Sequence, residues 1–143
     1  MSQVEKSIEV NVSLRVAYTQ WTHYEEYPHF LEDVETVTQV NDFITHWKTN
    51  VEGVTREFDV EITEQIPDAR VALTAVGEPH WATVVTFEQV DEAETRVTLH
   101  LDHSPQGFTE KIGDRLGLVK RHVHGDLKNF KRYVESPGAA PGF

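Results

Sequence analysis

Eight histidines are the most versatile chemical groups in this chain, yet their spacing builds neither a catalytic nor a metal centre. His122 and His124 lie two apart on a helical stretch and diverge by about 200°, at roughly 100° per residue. His100 and His103 fall on opposite faces of one strand, and no HExxH or other ligand spacing occurs, so no metal is expected. Cysteine is absent, which removes thiolate nucleophiles, disulfides and cysteine-held metals together. The serines Ser2, Ser7, Ser13, Ser104 and Ser136 stand at termini or element edges, and no GxSxG elbow accompanies them. Neither GxxxxGK[ST] nor GxGxxG is present to cradle a phosphate, and no cofactor is implied. The main ionic candidate is Arg56, which shares its strand phase with Phe58 and Val60. Facing inward, it needs a carboxylate, phosphate or enolate partner. Sitting at a rim beside Gly53, it reaches water instead. Both placements fit the pattern, and a bulge near Gly53 would reverse the phase.

The elements that must position these groups are legible in the hydrophobic periodicity. Val4 to Val12 alternates Ile8, Val10 and Val12 against Glu5, Ser7, Glu9 and Asn11, the period of a half-buried strand. Ser13 offers an N-cap, and Leu14, Ala17, Tyr18 and Trp21 recur at helical spacing up to Pro28, where that helix should stop. A further short turn is expected over His29 to Asp33. From Val34 to His103, turn signals recur at Asn41-Asp42, Glu52-Gly53, Pro67-Asp68, Gly77-Glu78-Pro79 and Asp91 to Glu94. Connections this short permit only antiparallel neighbours, hence a meander with one solvated and one covered face. The cover is a final helix over Thr109 to Glu135. Its stripe of Ile112, Leu116, Val119, Val123, Leu127, Phe130 and Val134 advances in steps of three and four. The fold class is therefore α+β, with a single domain over residues 1–136 and a Pro/Gly/Ala-rich flexible tail over 137–143.

A sheet curved around a helix can enclose a ligand cavity. The inward phase carries Trp47, Phe58, Val60, Leu73, Trp81, Val85, Phe87, Leu99 and Leu101, and Leu116 faces them from the helix. These side chains either line a pocket for a flat or oily molecule or simply fill the core. Gly113, Gly117 and Gly125 each cost a helix about 1 kcal/mol relative to alanine. They reflect close packing, a break that splits off a short leading helix, or, for Gly113 and Gly117, a lid hinge over the cavity.

Certain stretches carry a resemblance. They are Tyr18-Thr19-Gln20-Trp21 leading through Tyr27-Pro28-His29-Phe30-Leu31, His46-Trp47, and Gly53 through Arg56-Glu57-Phe58-Asp59-Val60-Glu61-Ile62. Thr95-Arg96-Val97-Thr98-Leu99 and Asp126-Leu127-Lys128-Asn129-Phe130-Lys131 complete the set. In this order, across about Val4 to Glu135, the chain resembles the polyketide cyclase/dehydrase and START-related superfamily, SRPBCC, near its coenzyme-Q-binding branch. The resemblance implies a helix-grip fold. A seven-stranded curved antiparallel sheet, in the order β-α-α-β6-α, would wrap on a long C-terminal helix. It also implies a container whose lining, not its fold, sets the function.

Charge narrows the partners. Thirteen Lys and Arg against 24 Asp and Glu give a net charge of -11, which repels nucleic acid and anionic lipid surfaces. No apolar run approaches the roughly 20 residues of a membrane span, and the first 12 residues carry no apolar signal region, so a cytoplasmic location is expected. The expected partner is a hydrophobic small molecule such as a lipid, isoprenoid quinone or aromatic polyketide, held without a cofactor. A homodimer is compatible with the sequence. Two alternatives stay open. One is a cyclase, aromatase or dehydratase using Arg56, Tyr18 or Tyr133. The other is a surface-acting module presenting Tyr24, Tyr27 and Phe30.

Overall fold

Every turn signal in the central run becomes a hairpin connection. The computed structural model describes residues 2–51, 53–77, 81–103 and 112–136, with the backbone alone for Ser2, Val51, His103 and residues 112–122. Strand β1 (Ser2–Val10) is followed by helix α1 (Leu14–Trp21) and a 3-10 turn, Tyr24–His29. Six strands come next: β2 (Val34–Gln39), β3 (Ile44–Val51), β4 (Val54–Ile66), β5 (Arg70–Ala75), β6 (Trp81–Asp91) and β7 (Glu94–His103). Helix α2 (Ile112–Glu135) follows. All seven strands form one antiparallel sheet in the order β1-β7-β6-β5-β4-β3-β2. Only β1 is placed out of chain order, beside the last strand.

Two boundaries differ from the sequence expectation. Strand β1 spans Ser2–Val10, two residues earlier than the alternation suggested, because its pairing with β7 runs from Ser2↔His103 to Val10↔Thr95. Helix α1 ends at Trp21 rather than running on to Pro28. The Thr22 hydroxyl donates back to the carbonyls of Tyr18 and Thr19 and closes the last turn. Pro28 instead sits inside the 3-10 turn, and the further short turn expected over His29 to Asp33 follows it, closed by the Val34 N–H donating to the Leu31 carbonyl at 3.1 Å. At the other end of α1, Ser13 accepts from the Val16 N–H as the expected N-cap.

The sheet curves through three register irregularities, at Val34/Thr36, Ile62/Glu64 and Gln89/Asp91. The β3–β4 hairpin has none. Its pairing runs unbroken from Val51↔Val54 to Ile44↔Glu61, so Arg56 keeps the phase of Phe58 and Val60. Gly53 supplies the positive φ of 85° that this two-residue turn requires. The bulge in β4 lies beyond Ile62 and brings Gln65 to the concave side, where it accepts from Tyr24 at 2.6 Å.

Helix α2 lies over the concave face, with Val123, Leu127, Phe130 and Val134 buried at helical spacing. Each such side chain contributes on the order of 1.5–3 kcal/mol of burial. Phe130 meets Trp21 edge-on at 4.7 Å and Phe30 at 5.1 Å, joining both helices and the 3-10 turn in one aromatic cluster. Each sheet edge carries a side-chain contact to its backbone. On β1, Lys131 donates to the Glu9 carbonyl at 3.0 Å, and just beyond the strand the Asn11 N–H donates to Glu135. On β2, the Gln39 N–H donates to Glu25 from the 3-10 turn.

Candidate functional site

Three aromatic rings from three strands meet on the concave face. Trp47 on β3 and Phe58 on β4 are direct cross-strand partners, with centroids 6.2 Å apart. Trp81, entering on β6, sits 5.5 Å from Trp47 and 6.1 Å from Phe58. Trp47 is buried, whereas Phe58 and Trp81 are half-buried. Tyr27 closes the inner side of the group with an edge-on contact to Trp47 at 5.6 Å. The Trp47 indole is fixed by a bond to the Thr45 hydroxyl at 2.9 Å, and Thr45 is itself held to the Val60 carbonyl at 3.1 Å. The outcome is a fixed cluster of three aromatic rings on the concave face, two of them partly exposed.

The remaining sequence candidates divide by depth. Val60, Leu73, Val85, Phe87 and Leu99 are buried in the core, and Phe87 lies under an edge-on contact with Tyr18 at 5.7 Å. Leu101 is half-buried against the core beside them. Arg56 is exposed, cross-strand from Thr49 and on the face of Phe58, with no ion pair to any described residue. Leu116, Gly113 and Gly117 belong to the first turns of α2, where side chains lie outside the described residues. The α2 backbone runs without a break through Gly113, Gly117 and Gly125, so no short leading helix splits off within Ile112–Glu135. Close packing is not the reason for Gly125 either, because a Cβ there would meet nothing within 4 Å.

The exposed aromatic patch expected of a surface-acting module does not form. Tyr24, Tyr27 and Phe30 are 3%, 1% and 1% exposed and belong to the core. The packing of the 3-10 turn against Trp21 and Trp47 turns all three inward. Burial pushes the hydroxyls of Tyr27 and Tyr24 well above the usual phenol range. Tyr133 is pushed up to about 12, by burial first and then by donating to Glu26 at 2.6 Å. All three are therefore proton donors at neutral pH, not bases. Among the described residues no cluster of His, Asp and Glu could hold a metal ion.

Sequence reasoning missed Thr45, Gln20 and Lys6. Thr45 and Lys6 each interrupt an inward apolar phase, the first ahead of Trp47 and the second between Val4 and Ile8. Gln20 is wholly buried in α1. A polar residue in an apolar phase was the available signal.

The sequence model of the family described as polyketide cyclase/dehydrase and lipid transport matches residues 10–132. The chain belongs to that family. An uncharacterised 17.2 kDa protein of Streptomyces lincolnensis is 52% identical over 143 residues, spanning 99% of this chain and 95% of the relative. Among solved structures, the Zhui aromatase/cyclase of Streptomyces sp. R1128 superposes with a TM-score of 0.78 at 13% identity, covering 94% of this chain and 93% of that one. A START superfamily protein of Mycobacterium smegmatis gives a TM-score of 0.77 at 14% identity, covering 93% and 97%. At such identities the likeness is one of fold, and the fold is the helix-grip arrangement of the START-related superfamily. Among the described residues no helix is long and apolar enough to cross a membrane.

Proposed function

We propose that the protein binds a hydrophobic small molecule, of the class of a lipid, isoprenoid quinone or aromatic polyketide, between the curved sheet and α2. The observation that carries this reading is the Trp47–Phe58–Trp81 group. Three large rings converge on the concave face, and two of them keep part of their surface uncovered by the core. Partly open aromatic surface is costly in water and gains free energy when an apolar ligand covers it. The match to a family described by polyketide cyclisation and lipid transport supports the same class of occupant. Arg56, exposed on the face of Phe58, would meet a polar head of the ligand. Gly113 and Gly117 would loosen the first turns of α2 for entry.

Holding is favoured over conversion. In the described strands the inward phase carries the cations Lys6 and Arg56 and, at the end of β7 opposite Trp81, His103, while the core phenols are held protonated. Acid–base chemistry on a carbonyl compound needs a matched acid and base, and one histidine at a strand end is not such a pair.

Native mass spectrometry of gently purified protein, followed by solvent extraction, tests the reading. A bound mass of one hydrophobic molecule per chain is the expected result. Titration with a fluorescent fatty acid and with a short-chain quinone should also perturb tryptophan emission in a saturable way. Protein that carries no extractable molecule and binds neither probe would overturn the proposal.

A further inference from the structure

Among the described residues, most of the buried polar atoms left without a partner gather at one place, the end of α1. Three polar side chains are essentially fully buried: Gln20 at 0%, Thr45 at 1% and Thr95 at 0%. Thr45 donates to the Val60 carbonyl at 3.1 Å and Thr95 to the Val12 carbonyl at 2.9 Å. The buried Tyr27 hydroxyl donates to the Trp21 carbonyl, Tyr24 to Gln65, and the Trp47 indole to Thr45. Gln20 has no such arrangement. Its amide nitrogen and oxygen are both buried without a partner among the described residues, and so is the indole N–H of the adjacent Trp21. Of five buried, unpartnered side-chain polar atoms, three therefore sit on consecutive residues at the end of α1.

The helix geometry makes this more than an oddity of one rotamer. Gln20 follows Ala17 by three residues and precedes Trp21, and all three are within 2% of complete burial, so the amide lies on the core-facing side of α1. A leucine or methionine would fill that volume without desolvating two N–H donors and a carbonyl. Buried polar groups are otherwise nearly always hydrogen-bonded, and an exception calls for a partner that the described residues do not provide.

We infer that Gln20, assisted by the Trp21 indole N–H, is a specificity-determining group that hydrogen-bonds an oxygen of the bound small molecule. This inference rests on the ligand-holding reading above and narrows it. The preferred occupant is an apolar ring or chain bearing a carbonyl or hydroxyl oxygen, not a plain hydrocarbon. An amide suits either oxygen, because it can donate to a carbonyl and accept from a hydroxyl. A site built around a hydrogen bond discriminates against the analogue lacking it, since rejecting the oxygen leaves the amide unpaired.

The test compares two probes of matched shape, 2-methyl-1,4-naphthoquinone and 2-methylnaphthalene, by isothermal titration calorimetry on the full chain. Wild type, Gln20→Met and Trp21→Phe are measured, with thermal melts to confirm that each folds. Wild type should bind the quinone about tenfold tighter or more. Gln20→Met should lose that preference, hold the hydrocarbon within about twofold, and melt no lower than wild type without ligand, because an unpaired amide has gone. Trp21→Phe should lose part of the preference, which keeps the question answerable should Gln20→Met fail to fold. Equal binding of the two probes by wild type, or a preference that survives both substitutions, overturns the assignment. A preference that survives in Gln20→Met with a lowered melting temperature identifies the amide as the anchor of a structural water and overturns it too. Binding of neither probe by wild type removes the ligand-holding reading along with this one.

Discussion

The indole N–H of Trp47 donates to the Thr45 hydroxyl at 2.9 Å, two residues earlier on the same strand face. The hydroxyl passes the connection on to the Val60 carbonyl of β4 at 3.1 Å. A single buried threonine thus fixes the rotamer of the central ring of the aromatic cluster and ties it to the neighbouring strand. Thr45→Val preserves shape and strand propensity but orphans the indole N–H in a site that is 1% exposed. The expected loss is about 1–3 kcal/mol of unfolding free energy by urea denaturation. Thr45→Ser keeps the hydroxyl and should recover most of it. Equal stability of wild type and Thr45→Val would show that the bond contributes nothing.

The Tyr27 hydroxyl donates at 2.7 Å to the carbonyl of Trp21, the last residue of α1. That carbonyl has no later helical N–H to accept, and the 3-10 turn brings a phenol to serve it. Tyr27→Phe removes only the oxygen, leaving the ring contacts with Trp21, Phe30 and Trp47 in place. It should therefore cost about 1–2 kcal/mol, while Tyr27→Ala should cost about 3–5 kcal/mol through the cavity it opens. Chemical denaturation of the two variants separates the hydrogen bond from the packing.

These two residues also mark what could be read from the sequence. Periodicity located Trp47 on an inward phase and placed every hairpin turn between β2 and β7, because alternation and turn residues are local signals. The stripe Val123, Leu127, Phe130 and Val134 emerged for the same reason. The inward turn of Tyr24, Tyr27 and Phe30 did not, since a 3-10 segment has no period long enough to reveal which side is buried. Nor did the role of Thr45, whose partner lies fifteen residues away on another strand. The end of α1 was misplaced because Pro28 is a visible breaker, whereas Thr22 ends the helix through side-chain bonds that spacing does not announce.

On the convex face, His46 of β3 is held between two carboxylates of β4. Nδ1 lies 2.9 Å from Asp59 and Nε2 lies 3.0 Å from Glu57. Hydrogen bonds from Glu57 and then Asp59 raise the imidazole pKa above its ordinary 6.5, and the bond to His46 lowers that of Glu57. A raised histidine stabilises the fold fully below pH 6.5, and that contribution is lost as pH rises through the folded-state value. Lowered Glu57 acts in the opposite sense, its contribution vanishing as pH falls through its own depressed pKa. The clasp is therefore complete in the mildly acidic window between the two. All three groups are exposed, so the melting temperature should drop by only about 1–2 °C as pH rises past the histidine, and less at high salt. His46→Gln should flatten that slope. An unchanged slope in the variant would assign the pH dependence to other groups.

Gly125 offers the most direct way to separate stability from ligand exchange. It lies inside α2, two residues after Val123 and two before Leu127, with a helical conformation and open space where a Cβ would point. Alanine in that space adds no clash and removes the entropic penalty of glycine in a helix. Gly125→Ala should raise stability by about 0.5–1 kcal/mol, seen as a melting temperature higher by a few degrees. If the glycine is present only because nothing opposes it, ligand on- and off-rates measured by stopped-flow fluorescence will not change. If α2 must flex for the groove to fill, the same substitution will slow both rates several-fold while leaving equilibrium affinity nearly constant, because bound and free states gain the added helix stability alike. A destabilised Gly125→Ala would contradict the geometry itself, for it would mean that the open space beside α2 is occupied in solution.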